Sequence, residues 1–186
     1  GNLMAKKYDK QPHLQTDLWK TESEWWAWLR GKSRQIWSDF PPRNDFKRSK
    51  LVPNFDGSGV TSKRVKSVGQ CQICNEWFAN SSLQVDHIAQ AGSIGGSWEG
   101  YFQWLYDLLA DKDNMQLVCV PCHKIKSHAD RIGVSFAEAR IKKEVIRFSK
   151  MDEESQRAVL IIANVEPTAS RAGRVRQYES LLNLEA

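Results

Sequence analysis

QCQICNEWFANSSLQVDHI, residues 70–88, and DNMQLVCVPCHKIKSH, residues 113–128, carry all four cysteines of the chain in two C-x-x-C pairs, 71/74 and 119/122. Paired cysteines with none left over suit a closed tetrahedral site, in which four thiolates fill every position around a soft cation such as zinc. The competing explanations are a redox pair or four unrelated buried cysteines, and the complete pairing favours the metal. The 44 residues between Cys74 and Cys119 exceed the spacing of a compact zinc ribbon, so an insertion must lie between the two knuckles.

Around the first pair, residues 68–87 break into short strand-like pieces, Trp77-Phe78 and then Leu83-Gln84-Val85-Asp86-His87-Ile88. Leu83, Val85 and His87 alternate with Gln84, Asp86 and Ile88 at period two, so a two-stranded ribbon is expected. Gly92, Gly95 and Gly96 mark a loop, and WEGYFQWLYDLL from Trp98 to Leu109 reads as an amphipathic helix despite Gly100. Within the second pair Pro121 favours a turn, and the residues after the pair can begin a helix.

Further out, Thr21 to Glu24 form a capping box ahead of WWAWLRGKSRQIWSDF, which Pro41-Pro42 ends. In that helix Trp25, Trp28, Leu29 and Trp37 share an apolar face read as core, and Arg30, Lys32 and Arg34 fall on the remainder. Residues 43–67 read as a basic connector with a turn at Asp56-Gly57-Ser58-Gly59. Ser135 to Glu138 form a second capping box opening a helix through Ser149, and two more helices are expected near 152–164 and 174–184. The lead, residues 1–20, shows no sustained period, and Gly1-Asn2-Leu3 ahead of Met4 read as an added leader. Three regions follow: a basic, partly helical arm (1–67), a core (68–128) and a helical extension (129–186).

Fourteen lysines and arginines face seven acids in residues 1–70, three face six in 71–128, and ten face nine in 129–186. A basic arm beside an acidic centre suits a phosphate-binding surface flanking a cation site, although a solvated basic face with no partner would look the same. No apolar run approaches the roughly 18–20 residues needed to cross a bilayer, and the start lacks a secretory pattern. A soluble, cytoplasmic protein without a membrane partner is expected.

The order C-x-x-C, VDHI, DNMQLVCVPCH closely resembles the HNH endonucleases, in particular cysteine-bearing members encoded by bacteriophages, over roughly residues 68–128. The resemblance implies an α+β fold: a small ββα-metal core stapled by a four-cysteine zinc site, with mainly helical N- and C-terminal extensions. It also implies hydrolysis of phosphodiester bonds in DNA, with nicking, double-strand cleavage, homing, packaging and interference roles all open. By position His87 resembles the general base, Asp86 and His123 the ligands of a catalytic Mg²⁺ or Mn²⁺, and Asn114 the residue that orients the base. Ser127 or His128 occupies the place of a further ligand or supporting group.

The chemistry agrees with these roles, since a histidine titrates near neutrality and a carboxylate is a hard oxygen ligand. One difficulty is that neighbouring strand residues, here Asp86 and His87, point to opposite faces. Arg30, Arg34, Arg43, Lys47, Arg48, Lys63, Arg64, Lys66, Lys124 and Lys126 are the expected contacts to DNA, a double-stranded target being implied by the family rather than by the residues. The alternative is a zinc-stabilised nucleic-acid-binding module with a vestigial HNH site.

Overall fold

The computed structural model describes residues 18–19, 21–109 and 111–184; most of the lead, including His13, lies outside them. Helices and two small antiparallel sheets make up the chain, in keeping with the α+β expectation. Its contacts divide it into two compact units, residues 1–119 and 120–186.

In the first unit, α1 (Glu22–Asp39) starts at Thr21, whose hydroxyl accepts from the Glu24 N–H at 3.2 Å. It ends before Pro41-Pro42, as expected, but those prolines also open a second helix, α2 (Pro41–Ser49). A proline in the first turn of a helix gives up an N–H that has no intrahelical acceptor anyway, so the same residues stop one helix and start another. The basic connector expected over 43–67 is therefore partly ordered. After α2, β1 (Leu51–Pro53) pairs antiparallel with β2 (Ser67–Gln70), which pairs in turn with β3 (Trp77–Ala79) across the first cysteine knuckle. The turn at Asp56–Ser58 is present, with Gly59 at φ +75°.

A separate two-stranded ribbon joins β4 (Leu83–His87) to β5 (Met115–Cys119), placing Asp86 opposite Gln116 and His87 opposite Met115. Thus the expected ribbon is two separate pairings, one around the knuckle and one that holds the acid–histidine pair. Gly69 on β2 faces the ribbon closely. A methyl there would lie 2.9 Å from side-chain carbons of both Leu83 and Leu117.

The insertion between the knuckles is helical, α3 (Trp98–Leu108), capped by Ser97. Gly100 is required by close approach, since a Cβ there would overlap the Ile94 carbonyl oxygen, a backbone atom that cannot move aside without displacing the loop. Helix α3 does not stand alone: Tyr101, Trp104 and Leu108 join Trp25, Trp26, Ala91 and Ile94 in one buried cluster. The apolar face of α1 consequently differs from expectation. Trp26 is buried and Trp28 is 45 % exposed, because Trp98 sets its ring edgewise against both Trp25 (5.4 Å) and Trp26 (5.5 Å). Ser33, inside the contact, bonds the Tyr101 hydroxyl at 2.8 Å.

The second unit is helical: α4 (Val120–Ile132), α5 (Phe136–Ser149), α6 (Glu153–Ile162) and α7 (Arg171–Leu184). The Ser135–Glu138 capping box is formed in both directions, Ser135 accepting from the Glu138 N–H and Glu138 accepting from the Ser135 N–H. Phe148 stacks on Tyr178 at 4.2 Å. The buried Arg174 is satisfied by the Gln156 amide oxygen (3.0 Å) and the Thr168 carbonyl (3.1 Å), while Gln156 donates to the Phe148 carbonyl. Buried charge needs such partners, which is why this arginine is held from several directions. No helix among the described residues is long and apolar enough to cross a membrane.

Candidate metal centre and acid–histidine site

The two knuckles meet. The sulfurs of Cys71, Cys74, Cys119 and Cys122 all lie within 4.8 Å of one another, with Cys74 and Cys119 at 4.0 Å, and none of the four is in a disulfide. Zinc with four sulfurs at about 2.3 Å requires neighbouring sulfurs about 3.8 Å apart, so the donor set could hold such an ion after a slight contraction. Local structure explains the assembly. Asn75, at φ +60°, turns the chain back so that its N–H donates to the Cys71 carbonyl, and the Cys71 N–H donates to the Glu76 carbonyl. Gln72 then fastens the knuckle to β5: its N–H donates to the Leu117 carbonyl at 2.8 Å and its Oε1 accepts from the Leu117 N–H at 2.7 Å. Leu117 is two residues before Cys119, so this pairing brings within reach two knuckles with 44 residues between them.

Burial pushes the Cys71 thiol up, but the backbone N–H groups of Cys74, Cys119 and Ile73 favour the thiolate and hold it down to about 7. A sulfur that ionises this readily is a ready cation ligand. Among the described residues, these cysteines are the one group of three or more Cys, His, Asp or Glu placed to share an ion.

Asp86 and His87 sit at the end of β4, each only 6 % exposed. The Gln116 amide approaches the Asp86 carboxylate and the His87 carbonyl, both at 3.4 Å. Next to it, His87 is held at two points. Its imidazole stacks on the Trp37 indole with ring centres 4.3 Å apart and planes at 29°, and Nε2 lies 2.8 Å from the Leu108 carbonyl. A carbonyl only accepts, so Nε2 must carry the hydrogen, and in the neutral ring Nδ1 is left as the proton acceptor.

Asn114 does not bond the imidazole. Its Oδ1 accepts from the Ala89 N–H at 2.7 Å, its Nδ2 donates to the Ala89 carbonyl at 3.0 Å, and its own carbonyl accepts from the Ile88 N–H at 2.9 Å. The asparagine therefore fixes the two residues that follow His87. This clamp forms one edge of an open cleft of about 710 Å³ lined by Phe40, Pro42, Ala89, Gln90, Tyr106, Asp107, Leu109, Asp111 and Asn114. The lining bears two carboxylates and no lysine or arginine, so it offers acceptors rather than a phosphate seat.

His123 follows Cys122 in the first turn of α4 and is partly exposed. In the same helix Ser127 is exposed, and His128 Nδ1 accepts from the Arg131 guanidinium at 2.9 Å. Desolvation and then the Arg131 charge hold His128 below its ordinary value.

The basic residues divide by what they touch. Arg30, Arg34, Lys63, Arg64, Lys66 and Lys124 are exposed, as is Arg48, which pairs with Asp45. Lys126 pairs with Asp130 at 3.1 Å. Lys47 turns inward, donating to the Leu83 carbonyl at 2.7 Å and the Asn80 carbonyl at 3.2 Å, and desolvation followed by the Arg43 charge lowers its pKa. Arg43 lies 5.5 Å from the centre of the Trp37 ring.

Comparison with family models, curated proteins and solved structures returns no match. Sequence reasoning missed the contact of Trp37 with His87, fifty residues away in the chain. The tryptophan-rich period of α1 was the only available signal, and it pointed to burial without naming a partner.

Proposed function

We propose that the chain is a metal-dependent DNA endonuclease of the HNH type, with the cysteine clip holding a structural zinc. The observation that carries the proposal is the clamp of Asn114 on Ala89 together with the carbonyl on His87 Nε2. An imidazole of fixed tautomer, beside a buried carboxylate and locked on its C-terminal side, is what an oriented general base requires. Asp86 is then one ligand of a catalytic cation, and His123, whose backbone the clip constrains through Cys122, is another. Bound there, Mg²⁺ or Mn²⁺ supplies charge stabilisation at the scissile phosphate and at the departing oxygen. His87 takes the proton of the attacking water at Nδ1, and Asn114 keeps its strand end from shifting as it does so. The exposed arginines and lysines, Arg30, Arg34, Lys63, Arg64 and Lys66 in one unit and Lys124 in the other, are the proposed backbone contacts.

One observation favours a second reading, a zinc-stabilised nucleic-acid-binding module: His87 is only 6 % exposed, which limits the access of water to its ring. Supercoiled-plasmid cleavage in Mg²⁺ or Mn²⁺, comparing the parent with His87→Ala, separates the two. The endonuclease is expected to relax or linearise plasmid and the variant to lose at least about a hundredfold in rate, in line with loss of a general base. Plasmid binding by both proteins with cleavage by neither would establish the binding module.

A further inference from the structure

We propose that Trp37 is a positioning residue for His87: its indole and the Leu108 carbonyl together hold the imidazole in the one orientation that leaves Nδ1 available as base. The inference rests on the endonuclease reading and adds to it a residue from the N-terminal helix, outside the stretch that resembles HNH proteins.

Three observations carry it. The imidazole lies against the indole at 4.3 Å and 29°, a stacked arrangement that restricts rotation of the imidazole about its Cβ–Cγ bond. The bond from Nε2 to the Leu108 carbonyl closes a second point, and two fixed points define the plane and the tautomer together. Trp37 is itself braced. Phe40 lies 6.0 Å from it and the Arg43 guanidinium 5.5 Å, and Arg43 is tied to the Ser38 carbonyl and the Asn44 side chain. The buried Nε of Arg43 makes no hydrogen bond, so that edge of the guanidinium is committed to packing. Helix α1, the α1–α2 junction and the last turn of α3 therefore converge on one side chain. Packing alone would be satisfied by any apolar residue at position 37; the stack specifically requires a ring.

The test is a graded series in the full chain, Trp37→Phe and Trp37→Met, read by single-turnover plasmid cleavage, plasmid affinity with the catalytic cation withheld, thermal unfolding, and ¹⁵N NMR of the His87 ring. The unringed side chain should lower the cleavage rate constant about thirtyfold, within the roughly 10–100-fold typical of residues that support a catalytic site, and the smaller ring, which keeps part of the stack, about threefold. Affinity should stay within about twofold, and the His87 ¹⁵N pattern should pass from a single Nε2–H tautomer to a mixture. Unchanged rate constants, or rate and affinity falling together, would overturn the proposal. Should Trp37→Met fail to unfold cooperatively, Trp37→Phe decides on the same criteria. If the parent itself cleaves nothing, the endonuclease reading fails, and the ring spectra still decide: a single tautomer in the parent that survives in both variants refutes positioning by Trp37.

Discussion

Replacing Asn114 by alanine removes two side-chain hydrogen bonds, at 2.7 and 3.0 Å, and leaves its backbone bond to Ile88 in place. A typical intramolecular hydrogen bond contributes about 0.5–1.5 kcal/mol net, so the pair sets a range of about 1–3 kcal/mol. Ala89 is exposed, and its freed N–H and C=O can be taken up by water, which places the expected cost in the lower half, about 1–2 kcal/mol. At about 2–4 °C per kcal/mol for a chain of this size, the melting temperature should fall by about 2–8 °C. Urea titration gives the free energy, and an unchanged m-value shows that the native state has kept its compactness. Amide exchange localises the effect: the Ala89 N–H should exchange faster in the variant, while amides in the middle of β4 keep their protection. Plasmid cleavage should fall well beyond the stability loss, since a small displacement of a catalytic group costs about a hundredfold. A cost below about 0.5 kcal/mol with Ala89 exchange unaltered would refute the clamp.

Two further outcomes follow from the metal centre and from a helix cap. Purified parent should hold one tightly bound zinc per chain by elemental analysis, and Cys71→Ser or Cys119→Ser should lose it along with cooperative unfolding; parent protein lacking zinc would contradict a structural clip. At the start of α6, Asp152 accepts from the Ser155 N–H at 2.8 Å, and that bond, followed by the Ser155 hydroxyl, holds its carboxyl below the ordinary range. Because the folded value is depressed, its stabilisation is present above the unfolded aspartate value of about 3.9 and disappears as pH falls through the folded one. Asp152→Asn keeps an acceptor that does not titrate, so stability measured from pH 5 down to 2 should decline less steeply than in the parent, and identical slopes would exclude this contribution.

The local signals were legible where they are local. Cysteine spacing indicated the clip, Ser135 with Glu138 the start of α5, and the apolar period from Trp98 the insertion helix. Pro41-Pro42 was legible only in half, because one proline pair serves as a stop for α1 and as the first turn of α2. Trp26 was hidden for a different reason. Helical periodicity ranks faces by hydrophobicity, and with tryptophans at 25, 26 and 28 it cannot tell which ring a neighbouring helix will cover; Trp98 settles that by packing against the first two. Lys47 looked like any other cation of the basic arm, yet its ammonium caps two carbonyls at the entry to β4. The acid–histidine pair could be found from motif order, whereas the indole and the carbonyl that hold its imidazole belong to helices that meet it only through tertiary packing.

All eight tryptophans lie within residues 1–119, and none lies in residues 120–186, where Tyr178 rests on Phe148. Indole emission is thus an optical label for one unit alone. Excited at long wavelength, the chain reports the loss of the Trp25–Trp26–Trp98 cluster and is blind to the melting of α5, α6 and α7, which shows in the far-ultraviolet dichroism together with that of the other helices. If the two signals separate during denaturation, the units unfold independently, and if they coincide, the chain unfolds as one cooperative body.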